Sequence, residues 1–166
     1  MQKMLLSGIV CGLVLSAHSY AGDVPDVKTG LWSTTTTVGD SKMPQQAVSM
    51  CTSTALLQTL YDQRRKTPNQ PCKQIAVTHN GAAITEQTEC KFGDTVVRTR
   101  AVTVVTADTA VRTEIHQEGN STVTVNESKY VGACPAGMQL GDFVGADGKK
   151  SNILHPDTGG KPAKSP

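Results

Sequence analysis

The chain has 166 residues, a formal net charge of +2, and a composition that is 37% hydrophobic but only 4% aromatic. This length fits a single domain, and a charge so close to neutral gives no basis for binding nucleic acid or an anionic membrane. Because aromatic residues are scarce, aliphatic side chains and threonine methyl groups must form the core, and covalent cross-links become valuable.

Residues 1–21 have the pattern of a secretory signal peptide. Lys3 provides positive charge, an apolar run extends from Leu5 to Ala17, and small residues at Ser19 and Ala21 predict cleavage after Ala21. The run is shorter than the roughly 20 apolar residues that a membrane-spanning helix needs. We therefore expect a periplasmic protein that has no membrane span once the signal is cleaved.

A single β-rich domain is expected at residues 22–144. Its first strands are predicted at Lys28–Val38, which is rich in β-branched residues, and at Gln45–Met50. The period then changes, because leucines and a tyrosine recur at helical spacing. This pattern predicts one short helix at about 53–65, capped by Thr52 or Ser53.

Four cysteines remain after the predicted cleavage, and an even number in an exported chain indicates disulfides. Asn80-Gly81, the strongest short-range signal for a tight hairpin, lies midway between Cys72 and Cys90. Folding at this turn brings the two cysteines nearly opposite each other, within the reach of a disulfide. We therefore pair Cys72 with Cys90 and, by elimination, Cys51 with Cys134.

The chain after Cys72 is predicted to be an antiparallel β-meander. Its turns are too short for parallel connections, and its strands are expected at residues 72–78, 82–92, 95–106, 110–117, 121–128 and 130–134. The predicted fold is mainly β, with about eight strands in a curved sheet or partly closed barrel and the helix covering one face or end. Residues 145–166 are rich in Gly, Pro, Lys and Ser, and are expected to form a flexible tail.

One face of the predicted meander is a speculative ligand site. Alternation along two neighbouring strands places the following charged side chains on one side of the sheet: Arg98, Arg100, Arg112, Glu114 and His116. We expect threonines to share that side and the opposite side to be apolar. The arginines would hold an anionic ligand, although a solvated face with cross-strand ion pairs is the simpler interpretation.

No residue pattern predicts catalysis, a metal or a cofactor. The histidines after residue 21 are His79, His116 and His155, and their spacing does not fit a metal site. The chain lacks a Gly-x-Ser-x-Gly elbow, a phosphate loop and a dinucleotide fingerprint. We therefore expect no enzyme activity, with an atypical hydrolase as a minor alternative because catalytic triads are defined by geometry.

Several features together resemble a known bacterial family. They are Gly30-Leu31-Trp32 with the Thr-rich strand that follows, Met43-Pro44, "QQAVSMC" ending at Cys51, the cysteine hairpin, and "YVGAC" ending at Cys134. In this order they resemble domain-of-unknown-function family 3617, over about residues 28–135. The resemblance implies a periplasmic, disulfide-bonded, β-rich protein and no known activity or site. The chain differs at Thr29, where proline is common, and at Ser33, where glutamate is common.

The sequence leaves two functions open. The first is a non-enzymatic binding module that holds a small ligand on its curved sheet. The second is an envelope assembly or structural factor that pairs a sheet edge with a strand of another protein.

Overall fold

The computed structural model describes residues 24–39, 47–67 and 70–155. The predicted signal peptide and residues 156–166 lie outside the described residues. The described part contains one helix and nine strands: β1 (Gly30–Val38), β2 (Val48–Thr52), α1 (Thr54–Lys66), β3 (Cys72–Asn80), β4 (Ala83–Phe92), β5 (Thr95–Ala107), β6 (Ala110–Gln117), β7 (Val123–Gly132), β8 (Asp142–Val144) and β9 (Lys150–Asn152).

The strands form one sheet in the order β3-β4-β5-β6-β7-β1-β2-β8-β9, and all neighbours are antiparallel. The predicted mainly-β fold with one helix is confirmed, and the sheet is open rather than closed. Strand β7 is continuous across Lys129, where the sequence analysis expected two strands. The predicted tail from residue 145 contains β9, which pairs with β8.

Helix α1 follows β2 directly and packs against the side of the sheet that we call the inner face. Ser53 caps the helix, since its hydroxyl accepts a hydrogen bond from the backbone N–H of Leu56 at 3.2 Å. Arg64, Arg65 and Lys66 lie in the last turn, where positive charge complements the helix dipole. No helix within the described ranges is long and apolar enough to span a membrane.

The buried core is small and concentrates where β1, β2 and α1 meet. Trp32 is 4% exposed, Cys51 is fully buried, and Leu56 and Tyr61 face the sheet from the helix. The ring of Trp32 makes an edge-on contact with Tyr130 of β7, with centroids 6.1 Å apart. This contact fastens the first strand of the domain to the last strand of the meander.

Gly30 is required where β1 approaches the end of β7. Its φ of +151° is rare for residues with side chains, and a Cβ atom there would collide with the carbonyl oxygen of Gly132 and the ring of Tyr130. A glycine thus permits the close backbone approach that starts the β1–β7 pairing. The register of that pairing shifts between Leu31 and Trp32, next to this contact.

The structure contains two disulfides, in the pairs expected from the sequence. Cys72 and Cys90 are direct register partners in the β3–β4 hairpin, with Cα atoms 3.9 Å apart. Cys51 at β2 and Cys134 after β7 have Cα atoms 5.7 Å apart and are separated by 83 positions in the chain. The second bridge therefore joins β2 to the segment that follows β7.

The hairpin of β8 and β9 is held by the buried carboxylate of Asp142. Its oxygens accept hydrogen bonds from Gln139 N, Asn152 Nδ2 and Lys150 Nζ, each at 2.8 Å. Burial raises the pKa of Asp142, but these three donors together outweigh burial and lower the pKa from 3.8 to about 2. The ionised carboxylate explains why residues 145–155 form a docked hairpin despite their polar composition.

We expect removal of either disulfide to destabilise the fold, and removal of Cys51–Cys134 to cost more. The loop that it closes spans 83 positions against 18 for the other bridge, and chain-entropy estimates for such loops are about 4.5 and about 3 kcal/mol. Urea unfolding of the two double-alanine variants measures both free energies. An equal or larger loss from the Cys72–Cys90 variant would contradict the entropic argument.

We expect Asp142→Asn to lower the free energy of unfolding by about 1–2 kcal/mol at neutral pH. Because the folded-state pKa is below the unfolded value of 3.8, this stabilisation is complete above about pH 4 and disappears as pH falls towards 2. Unfolding curves of both proteins across this window test it. Lys150→Gln should reduce the pH-dependent part of the stabilisation by Asp142. The assignment would be refuted if the unaltered protein and Asp142→Asn differed in free energy of unfolding by as much at pH 2 as at neutral pH.

Candidate functional site

The five residues predicted as a ligand face lie together on the outer face, the side of the sheet opposite α1. Arg100 is the register partner of His116 across β5 and β6. Alternate residues of a strand share a side, so Arg98 lies beside Arg100, and Arg112 and Glu114 lie on the side of His116. The structure therefore brings all five onto one surface.

Ion pairs occupy much of this surface. Arg98 Nε lies 3.1 Å from Glu89, while Arg112 lies 2.7 Å from Glu127 and 2.9 Å from Glu114. The hydrogen bond from Arg98 lowers the pKa of Glu89, and the bond to Glu114 raises the pKa of Arg112. Such exposed pairs are each worth under about 1 kcal/mol, and they leave Arg98 and Arg112 already paired with protein carboxylates.

The inner face holds threonines that the sequence analysis assigned to the charged side. Thr103 and Thr113 are register partners with hydroxyls 2.9 Å apart, and the hydroxyls of Thr34 and Ser128 are 2.8 Å apart. The expectation that threonines and charges share a face was wrong. Alternation puts Thr103 on the side of Val105, and the arginines of β5 on the other.

A cavity of about 400 Å³ lies between α1 and the inner face. We call it the inner cavity. Its lining is mainly apolar and includes, from the helix and the sheet, Leu57, Leu60, Tyr61, Trp32, Ile84 and Val111. Both its size and its lining fit the pockets of about 300–1,000 Å³ that bind small molecules.

The lead-in to β1 closes one side of the inner cavity. The backbone N–H of Val27 donates to Thr54 Oγ1 at 2.9 Å, and that of Lys28 donates to the carbonyl of Asp108 at 2.8 Å. Trp32 Nε1 donates to the carbonyl of Lys28, also at 2.8 Å. The lead-in is thus tied to the helix, to the β5–β6 turn and to the indole that lines the cavity.

Hydroxyl groups give the apolar cavity a few polar contacts. Thr52 lines it and is 4% exposed, and its hydroxyl has no hydrogen-bond partner among the described residues. A buried hydroxyl without a partner costs about 1–3 kcal/mol. In the Thr103–Thr113 and Thr34–Ser128 pairs, one hydroxyl donates its hydrogen to the other, and the second hydroxyl can still donate to another acceptor. A polar atom of a bound molecule could accept a hydrogen bond from the remaining O–H of either pair.

Arg64 of α1 and Glu86 of β4 stand at one end of the inner cavity. Their side chains form an ion pair of 2.5 Å, in which Arg64 is about half exposed and Glu86 is about one quarter exposed. Thr88 donates a further hydrogen bond to Glu86 at 3.3 Å. This ion pair marks the transition from the apolar cavity to solvent.

The histidines lie apart from the inner cavity. His79 is the penultimate residue of β3. His116 lies 3.8 Å from Glu114 on the outer face, and His155 is the last described residue. The described residues contain no group of three His, Cys, Asp or Glu side chains arranged to hold a metal ion.

Sequence reasoning missed the inner cavity because it looked for charge. Two signals in the sequence pointed to it. The positions of β5 and β6 that alternate with the charges carry Val, Thr, Ala and Ile, and the helix presents Leu57, Leu60 and Tyr61 at helical spacing. What the sequence could not show is that the helix stands off the sheet and leaves a space.

A search of curated proteins and a search of solved structures each returned no match. A family model described as "Protein of unknown function (DUF3617)" matches residues 27–134. The matched range contains both disulfides and the strands and helix that line the inner cavity, from Val27 to β7, and it ends before β8. The chain therefore belongs to the family of proteins of unknown function DUF3617.

Proposed function

We propose that this chain is an exported, non-enzymatic protein that binds a small, largely apolar molecule in the inner cavity. The observation that carries the proposal is the partly open, mainly apolar cavity of about 400 Å³ between α1 and the inner face. Its volume and lining are those of pockets that bind small molecules, which favours a binding role. The Thr103–Thr113 and Thr34–Ser128 hydroxyl pairs in the lining support a ligand with at least one polar atom.

Export is the second part of the proposal. The N-terminal sequence has the pattern of a signal peptide, and two disulfides suit an oxidising compartment such as the periplasm. We expect the mature protein isolated from its native host to begin at Gly22 and to contain no free thiol. Intact-mass measurement without reduction tests this, and a mature protein retaining residues 1–21 would contradict it.

Strand pairing with a partner protein is the second candidate function. The sheet is open, so β3 has one edge without a partner strand among the described residues, and Ile75 on that strand is 46% exposed. However, β3 carries Lys73 and a register shift between Gln74 and Ala76. Edge lysines and bulges are devices that discourage edge pairing, so ligand binding is the better supported function.

Trp32 gives a direct test of the binding proposal, since it is the single tryptophan of the chain and lines the inner cavity. We expect its fluorescence to change saturably when neutral alkyl alcohols are titrated. The affinity should rise about fourfold per added methylene until the cavity is full. Ligand at 100 times its dissociation constant should add about 2.7 kcal/mol to the stability.

A pair of matched variants locates the binding. Val111→Phe places a ring in the inner cavity and should abolish the fluorescence response, whereas Val102→Phe adds the same ring to the outer face and should preserve it. The proposal would be overturned if Val111→Phe still bound the alcohols, or if the unaltered protein bound none of them.

A further inference from the structure

A second, polar cavity of about 380 Å³ adjoins the inner cavity. Arg64 and Glu86 line both spaces, so the ion pair between them forms the shared boundary. The second cavity lies between the C-terminal end of α1 and the first half of β3. We call it the head pocket. The two spaces together form an elongated site with one apolar and one polar compartment.

Hydrogen-bond donors dominate the head pocket. Arg64 and Arg65 reach it from the helix, and Arg65 also stacks over the ring of Tyr61 at 5.6 Å. Gln74 Oε1 accepts a 2.8 Å hydrogen bond from the Tyr61 hydroxyl, so Gln74 Nε2 points away from that hydroxyl. That Nε2 is buried and has no acceptor among the described residues. The pocket thus has two cationic side chains on its helix side.

The backbone at the helix end does not oppose a negative group as strongly as a free helix end would. Thr67 donates both its N–H, at 3.0 Å, and its hydroxyl, at 2.8 Å, to the carbonyl of Gln63. This satisfies one of the carbonyls that carry the negative end of the helix dipole. The remaining anion in the pocket lining is the carboxylate of Glu86.

We propose that the bound molecule is a single-chain amphiphile with an anionic, carboxylate-type head group. Its alkyl chain occupies the inner cavity and its head group accepts hydrogen bonds from Arg64, which lines both cavities. This inference rests on the proposed function and adds the chemical class of the ligand. A guanidinium has five donors in a planar fork, so Arg64 can hold the ligand while still contacting Glu86.

Glu86 acts on this ligand in a defined direction. In the structure its carboxylate takes the position next to Arg64 that an anionic head would favour, at 2.5 Å. Its negative charge therefore repels an anionic head group that binds the same guanidinium. Removing its charge should strengthen the binding of a carboxylate, whereas removing the charge of Arg64 should weaken it.

Titration of Trp32 fluorescence with dodecanoate and with dodecanol, at a pH where dodecanoate is ionised, tests the head group. Arg64→Gln should lower the affinity for dodecanoate about fivefold and leave the affinity for dodecanol unchanged. Glu86→Gln should raise the affinity for dodecanoate and also leave dodecanol unchanged. Arg98→Gln, which removes an ion-paired arginine from the outer face, should change neither affinity.

The possible outcomes separate this inference from the proposed function. If both molecules bind but Arg64→Gln weakens neither or weakens both equally, the head-group assignment is overturned and the cavity proposal stands. If dodecanol binds and dodecanoate does not, the head-group assignment is likewise overturned and the cavity proposal stands. If neither molecule binds the unaltered protein, both proposals fall.

Discussion

The pairing of β1 with β7 is the constraint on which the rest of the structure depends. Eight register pairs join the first strand to the last strand of the meander, across a long stretch of chain whose closure costs entropy. Gly30 permits the close approach, Trp32 contacts Tyr130, and Cys51–Cys134 locks the adjoining strand. Without this pairing, β1 and β2 would not be joined to the meander, and α1 would not lie over it.

The inner cavity follows from having one short helix over a large sheet. A helix of 13 residues cannot cover nine strands, and the inner face beneath it has few large side chains. Threonines and valines supply small surfaces, and the hydroxyl pairs satisfy each other without filling space. The sequence is therefore suited to leaving a space at the sheet. The two disulfides contribute stability that replaces part of what a more fully packed core would provide.

The outer face carries many charged side chains, whereas the lining of the inner cavity is mainly apolar. On the outer face, arginines and glutamates neutralise one another across neighbouring strands, as expected of a solvated surface. In the lining of the inner cavity, the charged side chains are Arg64 and Glu86, at the boundary with the head pocket. An exchange of partners at this boundary is the simplest change that a charged ligand could produce.

The sequence by itself determined the local structure and the cross-links. The Asn80-Gly81 signal indicated the hairpin, but the structure puts its turn at Gly81 and Ala82, and a register shift between Gln74 and Ala76 brings Cys72 opposite Cys90. Helical spacing specified α1 to within about one residue, and short turns specified antiparallel neighbours, because each depends on residues close in the chain. The family features likewise lie in consecutive segments, and the matching model confirms them.

Tertiary structure alone decided the placement of β1 between β7 and β2, the docking of β8 and β9 through Asp142, and the space beneath α1. These depend on residues far apart in the chain, whose contacts no local period records. The charged outer face stood out in the sequence because alternation displays it directly. The inner cavity did not, because a void is set by the distance between a helix and a sheet.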